Sequence, residues 1–266
     1  DYQLPFNFNR LSLHPKYKWV TAHIGDVNMT FSPYTLSGHQ FTGGGVDLTP
    51  EGKFKVSAMA GQLLNATEDT EDSRTVPAFK RMGYGLKTEY ETEKYKVGVI
   101  GFYAKDAITS IDSVPEQKNV LPKENLVLSI EGAYKINNNF DVFAEYASSA
   151  ITQDLRAQDG NGGKGGMAGL LFNSKISTEY YTALKAGVNY VFDQSSVGVA
   201  YERIDPGYQT LGSYYFNNDF ENITLTFSGG SKNGGNYSTT NSASDDVWPS
   251  SGTWTFQNGD KNKLLR

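Results

Sequence analysis

The side chains with the widest chemical reach in this chain are three histidines, His14, His23 and His39, two of which flank a segment that holds Asp26. An imidazole, a carboxylate and a nearby hydroxyl are the parts of a hydrolytic triad, which assembles in space rather than along the sequence. The local motifs that would fix such chemistry are missing, with no Gly-x-Ser-x-Gly elbow and no His-Glu-x-x-His pair. Cysteine is absent, which removes thiolate nucleophiles, disulfides and cysteine metal sites. The expectation is a protein with no catalytic residues, no cofactor and no bound metal.

Two further clusters read as solvated surface. Glu68, Asp69, Glu71 and Asp72 could hold calcium on a loop, but they lack calcium-loop spacing. The run GNGGKGG over 160–166 superficially suggests a phosphate loop. It has no Lys-Ser/Thr after spaced glycines and no strand leading into a helix, so it reads as a flexible tip. A net charge of −5 without any basic stripe argues against a nucleic-acid partner.

The most functional-looking charges stand at alternate positions. Over 81–91, Met82, Tyr84 and Leu86 alternate with Arg81, Gly83, Gly85, Lys87 and Glu89. Over 125–136, Leu126, Leu128 and Ile130 oppose Ser129, Glu131 and Lys135, and over 180–193, Leu184, Val188 and Tyr190 oppose Lys185 and Asn189. Period two puts such sets on opposite faces of a strand. The charged face, with Asp141, Glu145 and Glu202 from two further strands, is expected to line a lumen, and the apolar face to meet lipid. Charges of both signs on neighbouring strands support two readings equally: a hydrated pathway with local selectivity, or a paired network that fills a narrow barrel. Glycines share the polar face at Gly83, Gly85, Gly98, Gly187 and Gly198, with Gly43, Gly44 and Gly45 nearby. Glycine in a strand marks curvature or close approach by another segment, and curvature is the expected cause.

The elements that carry these faces are long strands. Those of a soluble sandwich run to about six residues, whereas about ten residues tilted near 40° span the apolar height of a membrane. Tyrosine and phenylalanine, 17 and 15 in number, fall often at strand ends, as interfacial girdles require. No run of 18 apolar residues exists and mean hydropathy is negative, as alternating strands dictate. Five hairpins are expected: 4–13 with 17–25 around His14-Pro15-Lys16, 40–48 with 54–64, 81–91 with 94–105, 125–136 with 140–149, and 180–192 with 195–204. Longer segments, 26–39, 65–79, 106–124 and 151–178, separate them. Short turns at one end and long loops at the other match periplasmic and extracellular ends. In that orientation the first strand runs inward, which predicts strands upstream of this chain. Residues 220–228 add a strand and 252–257 another. Residues 1–228 thus form the barrel, while 229–266 is a Gly/Ser/Asn-rich loop or linker with a last strand.

Residues 30–66, TFSPYTLSGHQFTGGGVDLTPEGKFKVSAMAGQLLNA, resemble barrel segments of large outer-membrane proteins of the Bacteroidota, distantly the SprA-type translocon of the type 9 secretion system. The shared look is an aromatic-Ser-Pro-Tyr-Thr-Leu turn, a glycine-rich strand, a short turn and a Lys-Phe-x-x-Ala strand, and YQTLGSYYFNND over 208–219 fits it. The resemblance implies an outer-membrane location, a large barrel, and a structured loop at Ser32, Pro33, Tyr34, Thr35, Leu36 and His39.

The combined expectation is an all-β, antiparallel transmembrane barrel of about 10–12 strands, or a slice of a larger one. It would act in the bacterial outer membrane as a pore, translocon or uptake component with a polar, charged lumen. Its partners would be the lipid bilayer, lipopolysaccharide and other outer-membrane or periplasmic subunits. The alternative is a filled structural barrel whose extracellular loops, above all 151–178, bind a partner protein or glycan. A soluble all-β binding protein, with its apolar faces packed on one another, is a third reading.

Overall fold

The computed structural model describes residues 11–69, 76–112, 118–160, 165–192, 195–230, 236–243, 254–255 and 264–265. The strands are β1 (Ser12–Leu13), β2 (Lys16–Tyr17), β3 (Val20–Thr30), β4 (Ser37–Leu48), β5 (Phe54–Leu64), β6 (Arg81–Glu91), β7 (Tyr95–Asp106), β8 (Glu124–Lys135), β9 (Phe140–Thr152), β10 (Thr178–Phe192), β11 (Ser195–Ile204), β12 (Phe220–Gly230) and β13 (Asn236–Ala243). A separate two-residue ladder joins β14 (Trp254–Thr255) to β15 (Leu264–Leu265). The protein is all-β, and among the described residues no helix is long and apolar enough to cross a membrane.

Strands β3 to β13 form one antiparallel meander in which each pairs with its sequence neighbour, and β1 and β2 both pair with β3. Short connections join β4 to β5, β6 to β7 and β8 to β9, whereas longer ones join β5 to β6, β7 to β8 and β9 to β10. The expected closure into a barrel is not found: among the described residues β13 pairs only with β12, and β1 and β2 only with β3. Among the described residues the sheet is therefore open at both edges.

Hairpin one differs from its expected form. The Lys16–Tyr17 strand pairs with Val20 and Thr21, and Ser12–Leu13 with Ile24 and Gly25, so the chain reverses at Lys18-Trp19 rather than at His14-Pro15-Lys16. Lys18 takes the left-handed turn conformation, with φ of 52°. Proline explains the shift, because Pro15 cannot donate to a ladder and sits where β1 is interrupted, while its carbonyl still accepts from Ala22 N at 2.9 Å. Residues 4–10 of this expected hairpin lie outside the described residues. The expected long loop 26–39 shrinks to 31–36, because β3 and β4 extend into it on both sides. The expected linker after residue 228 is also corrected, since β13 pairs residue for residue with β12 from Ile223↔Ala243 to Gly230↔Asn236. Thr and Tyr within β13 suit a strand and outweigh the loop-like Asn/Ser composition.

The two faces separate as period two requires. On the inner face, the half nearer the long loops is closed by Ile100, Phe102, Val127 and Ile151, all 0% exposed, with Phe41, Leu36, Met59 and Leu63 around them. On the outer face Tyr84, Leu86, Val97, Val99, Ile130, Val188, Tyr190, Val199 and Leu225 are exposed. Gly132, Ala144 and Ala186 follow one another in the transverse register of that face and form the floor of a recess of about 1110 Å³, with Ile130, Tyr134 and Val188 in its walls. Phe54, Tyr90, Tyr95, Phe140, Tyr190 and Phe192 contact one another in pairs near the short turns, with ring centroids 4.7 to 6.4 Å apart. At the other end Tyr84 stacks on Tyr103.

This face assignment separates two truncations. Phe102→Ala, which empties the sealed inner face, is expected to cost about 3–5 kcal/mol. Val99→Ala, three residues away on the outer face, should change stability by about 0.5 kcal/mol or less in detergent. Urea titrations of both variants in the same detergent check this, and equal losses would refute the assignment.

Candidate functional site

Seven adjacent strands bring one row of charge to a single level of the inner face. The register sets Glu89 opposite Gly98, Gly98 opposite Glu131, Glu131 opposite Glu145, Glu145 opposite Lys185, Lys185 opposite Glu202, and Glu202 opposite Asn222. Residues directly opposed in antiparallel neighbours share a face, so these side chains form a belt. Like charges face each other at Glu131 and Glu145, which destabilises unless cations or donors intervene. Lys87 Nζ supplies one cation at 3.3 Å from Glu89 and 3.1 Å from Glu131. Lys96 Nζ supplies a second at 2.5 Å and 3.3 Å from the same carboxylates. Lys185 Nζ stands 3.2 Å from Glu202, and the Ser129 hydroxyl donates to Glu145 at 2.8 Å. Gly98 leaves the space that this arrangement needs, since a Cβ there would come within 2.6 Å of Glu131 Cγ.

The loop 31–36 folds inward onto this belt. Its Tyr34 hydroxyl donates to Glu202, Ser32 lies against Glu145, and Lys87 Nζ donates to the Phe31 carbonyl at 2.8 Å. The Phe31 ring fills the space over Gly85, where a Cβ would meet it at 2.6 Å. Close approach by a folded-in segment, rather than bare curvature, thus accounts for Gly85. Ser32 and Thr35 bond each other at 3.0 Å, and Leu36 is fully buried. Pro33 alone of the loop is exposed, and His39 at the start of β4 stacks on Tyr214 with ring centroids 3.9 Å apart. The expected structured loop is therefore an interior plug.

A second loop, between β11 and β12, latches the plug. The Tyr208 hydroxyl donates to the Tyr34 carbonyl at 2.8 Å, the Thr210 hydroxyl donates to the Thr35 carbonyl at 2.7 Å, and Ser37 N donates to the Gly212 carbonyl at 2.9 Å. Asn125, fully buried, accepts from Leu211 N at 3.0 Å and donates to Ser149 Oγ and the Ala150 carbonyl at 2.9 and 3.0 Å. Ser149 Oγ in turn donates to the Gln209 carbonyl at 2.6 Å. Each of these buried polar groups is satisfied, as a buried network must be. Burial, and then the hydrogen bond to Glu202, pushes the Tyr34 hydroxyl well above the ordinary phenol range, and burial, then the nearby Glu145, does the same to Tyr208.

The remaining expected lumen charges lie apart from the belt. Arg81 makes a two-pronged bond to Asp106 at 2.7 and 2.9 Å, and Asp106 also accepts from Lys123 N, so this pair closes the rim near the long loops. Asp141 accepts from Asn189 Nδ2 at 2.9 Å towards the short turns, and Lys135 faces it in the register but is exposed. Of the expected lipid-facing residues, Tyr84, Leu86, Ile130, Leu184, Val188 and Tyr190 are exposed on the outer face; Met82 and Leu128 are half-buried there, and Leu126 is covered by a loop segment. Below the plug, Lys96, Glu131, Phe143, Glu145 and Lys185 line a recess of about 200 Å³. Lys96, Asn125, Asp106 and the latch were not in the expected set. Period two over β7 would have placed Lys96 inward, and a lone Asn amid the apolar residues of β8 was the available signal for Asn125.

The histidines assemble differently from a triad. His23 Nε2 contacts Asp47 at 2.8 Å, His14 and His23 meet through their Nδ1 atoms at 2.8 Å, and Ser57 donates to the other oxygen of Asp47. The hydroxyl thus meets the carboxylate rather than an imidazole. Asp26, expected beside the histidines, accepts instead from Thr42. Glu68 accepts from Asp112 N and Asp69 pairs with Lys118, whereas Glu71 and Asp72 lie outside the described residues.

No family model, no curated protein and no solved structure matches this chain. The resemblance to the SprA-type translocon therefore stands on residues 30–66 and 208–219 alone.

Tyr34→Phe removes the donor from Glu202 and should destabilise the plug by about 1–3 kcal/mol. Faster proteolysis within 205–212, with the β-sheet circular dichroism unchanged, is the expected signature. The raised tyrosines also set a pH limit. Above the ordinary phenol value of 10.0 the released side chains lose protons that Tyr34 and Tyr208 keep when plugged. The stability they contribute is therefore complete below that pH and declines as pH rises beyond it. Proteolysis of 205–212 measured from pH 8 to pH 12 should be flat up to roughly pH 10 and accelerate above it.

Proposed function

We propose that this chain forms the wall of an outer-membrane β-barrel that its own loops hold closed, and that it serves as a membrane-embedded scaffold rather than an open channel. The observation that carries the reading is the bonded plug and latch over a sealed inner face, with Ile100, Phe102, Val127 and Ile151 fully buried. An apolar seal of that kind leaves no hydrated path along this part of the wall. The exposed outer band between aromatic groups supports the membrane setting. Among the described residues that band is not packed against a second sheet, which counts against a soluble sandwich. Open sheet edges are not tolerated in lipid, so the proposal includes closure of the β1–β2 and β13 edges by each other, by further chain or by another outer-membrane subunit. Lipopolysaccharide and phospholipid would meet the outer face.

A second reading has its own observation. The recess of about 200 Å³ and the charged belt beneath the plug keep a polar space that a filler barrel does not require. On that reading the plug is displaceable and the chain is an uptake or secretion component closed at rest.

Planar-bilayer recording separates these readings. The wild-type protein should be silent, and steady conductance would overturn the closed reading. Openings in a Tyr34→Ala/Tyr208→Ala variant would favour a displaceable plug, whereas continued silence would leave the scaffold. Val99→Arg, on the outer band, should lower membrane assembly by about 2–4 kcal/mol near the midplane, read as the folded fraction in urea-controlled insertion into vesicles. Unimpaired assembly would sink the membrane setting.

A further inference from the structure

The loop between β9 and β10 does not fold over the inner face as the plug does; part of it lies on the outer face. Gly166, at a φ of 62°, and the short 3-10 turn Ala168–Leu170 dock against β9, where Ala168 N donates to Ser148 Oγ at 3.2 Å. Ala168 and Phe172 pack with Ala150, Leu126 and Tyr180. Gly165 presses so closely on Tyr180 that a Cβ would come within 2.6 Å of that side chain. These glycines of the expected flexible tip are therefore contact points, although residues 161–164 lie outside the described set. The stalk below is polar, with Lys175 Nζ 2.9 Å from Asp159 and backbone bonds at Gly160 and Ile176.

The docked segment leaves its most apolar side chains uncovered. Leu170, Leu171 and Ile176 are 68%, 74% and 71% exposed. The register places the covered pair Leu126↔Ala150 four residues along the strands from Ile130↔Tyr146, at the border of the exposed outer band. The leucines consequently stand outboard of the wall, on the band's side and next to its edge. Building on the membrane reading above, we infer that segment 165–176 is a lipid-contacting flap whose Leu170 and Leu171 enter the acyl region of the surrounding leaflet. An apolar tip on a polar stalk is the arrangement that lies at a membrane interface, and continuity with the apolar band identifies the occupant as lipid acyl chain.

The absence of cysteine makes the test direct. Single cysteines replacing Leu171, Val99 of the outer band and Glu93 of a short turn are spin-labelled, and the proteins are placed in phosphatidylcholine/phosphatidylglycerol nanodiscs. Collision rates with oxygen and with a water-soluble nickel chelate are then compared. Residue 171 should behave like 99, with oxygen favoured and nickel excluded at least several-fold relative to 93. If 171 follows 93 while 99 stays in lipid, the flap inference fails and the membrane reading survives. If 99 is also open to nickel, both fail. Shielding of 171 from both reagents would mean a protein partner or second copy covers the leucines, which overturns the lipid assignment.

Discussion

A carboxylate held away from bulk water has to be given donors or cations, and the inner face of this sheet carries four of them at one level, Glu89, Glu131, Glu145 and Glu202. Three lysines answer part of that demand, and the loop 31–36 answers the rest through Tyr34 and Ser32. Much of the interior follows from this requirement. The loop must descend to belt level, so Gly85 must leave room for Phe31. Once down, the loop exposes its own carbonyls, and Tyr208 and Thr210 are the groups that satisfy them. Polar pairing at the belt and apolar burial above it are thus coupled.

How much of this was legible from sequence depended on whether a feature was local. The alternation of Met82, Tyr84 and Leu86 with Arg81, Lys87 and Glu89 is a property of consecutive residues, and the strands, their faces and most of the turns could be read from it. The belt was half legible: its residues were identifiable as inward, but their common level depends on the register of seven strands, which a single sequence does not state. The plug was visible as a structured loop only through the resemblance of residues 30–66 to segments of outer-membrane barrels, and its inward direction was not. Nothing in residues 205–212 announces that they close over residues 31–36. The first hairpin was misplaced for a local reason, because a Pro between two basic residues looks like a turn, while the reversal falls on Lys18, whose left-handed backbone carries no compositional flag.

The outer face divides in a way that composition hides. Loops at the same end of the sheet go to opposite sides, 31–36 inward and 165–172 outward. The difference lies in what each meets: charged donors and acceptors draw the first inward, whereas a patch of small and apolar residues, Ala150 and Leu126, receives the second.

The latch also constrains the order in which the molecule is completed. Its hydrogen bonds join residues 174 and 175 positions apart, from the third strand to beyond the eleventh. Contacts of that separation form only after the intervening chain has been arranged. The donors that Tyr34 and Ser32 bring to the belt are thus tied to a closure that spans most of the sheet, and its entropic cost falls on the same contacts that satisfy the carboxylates.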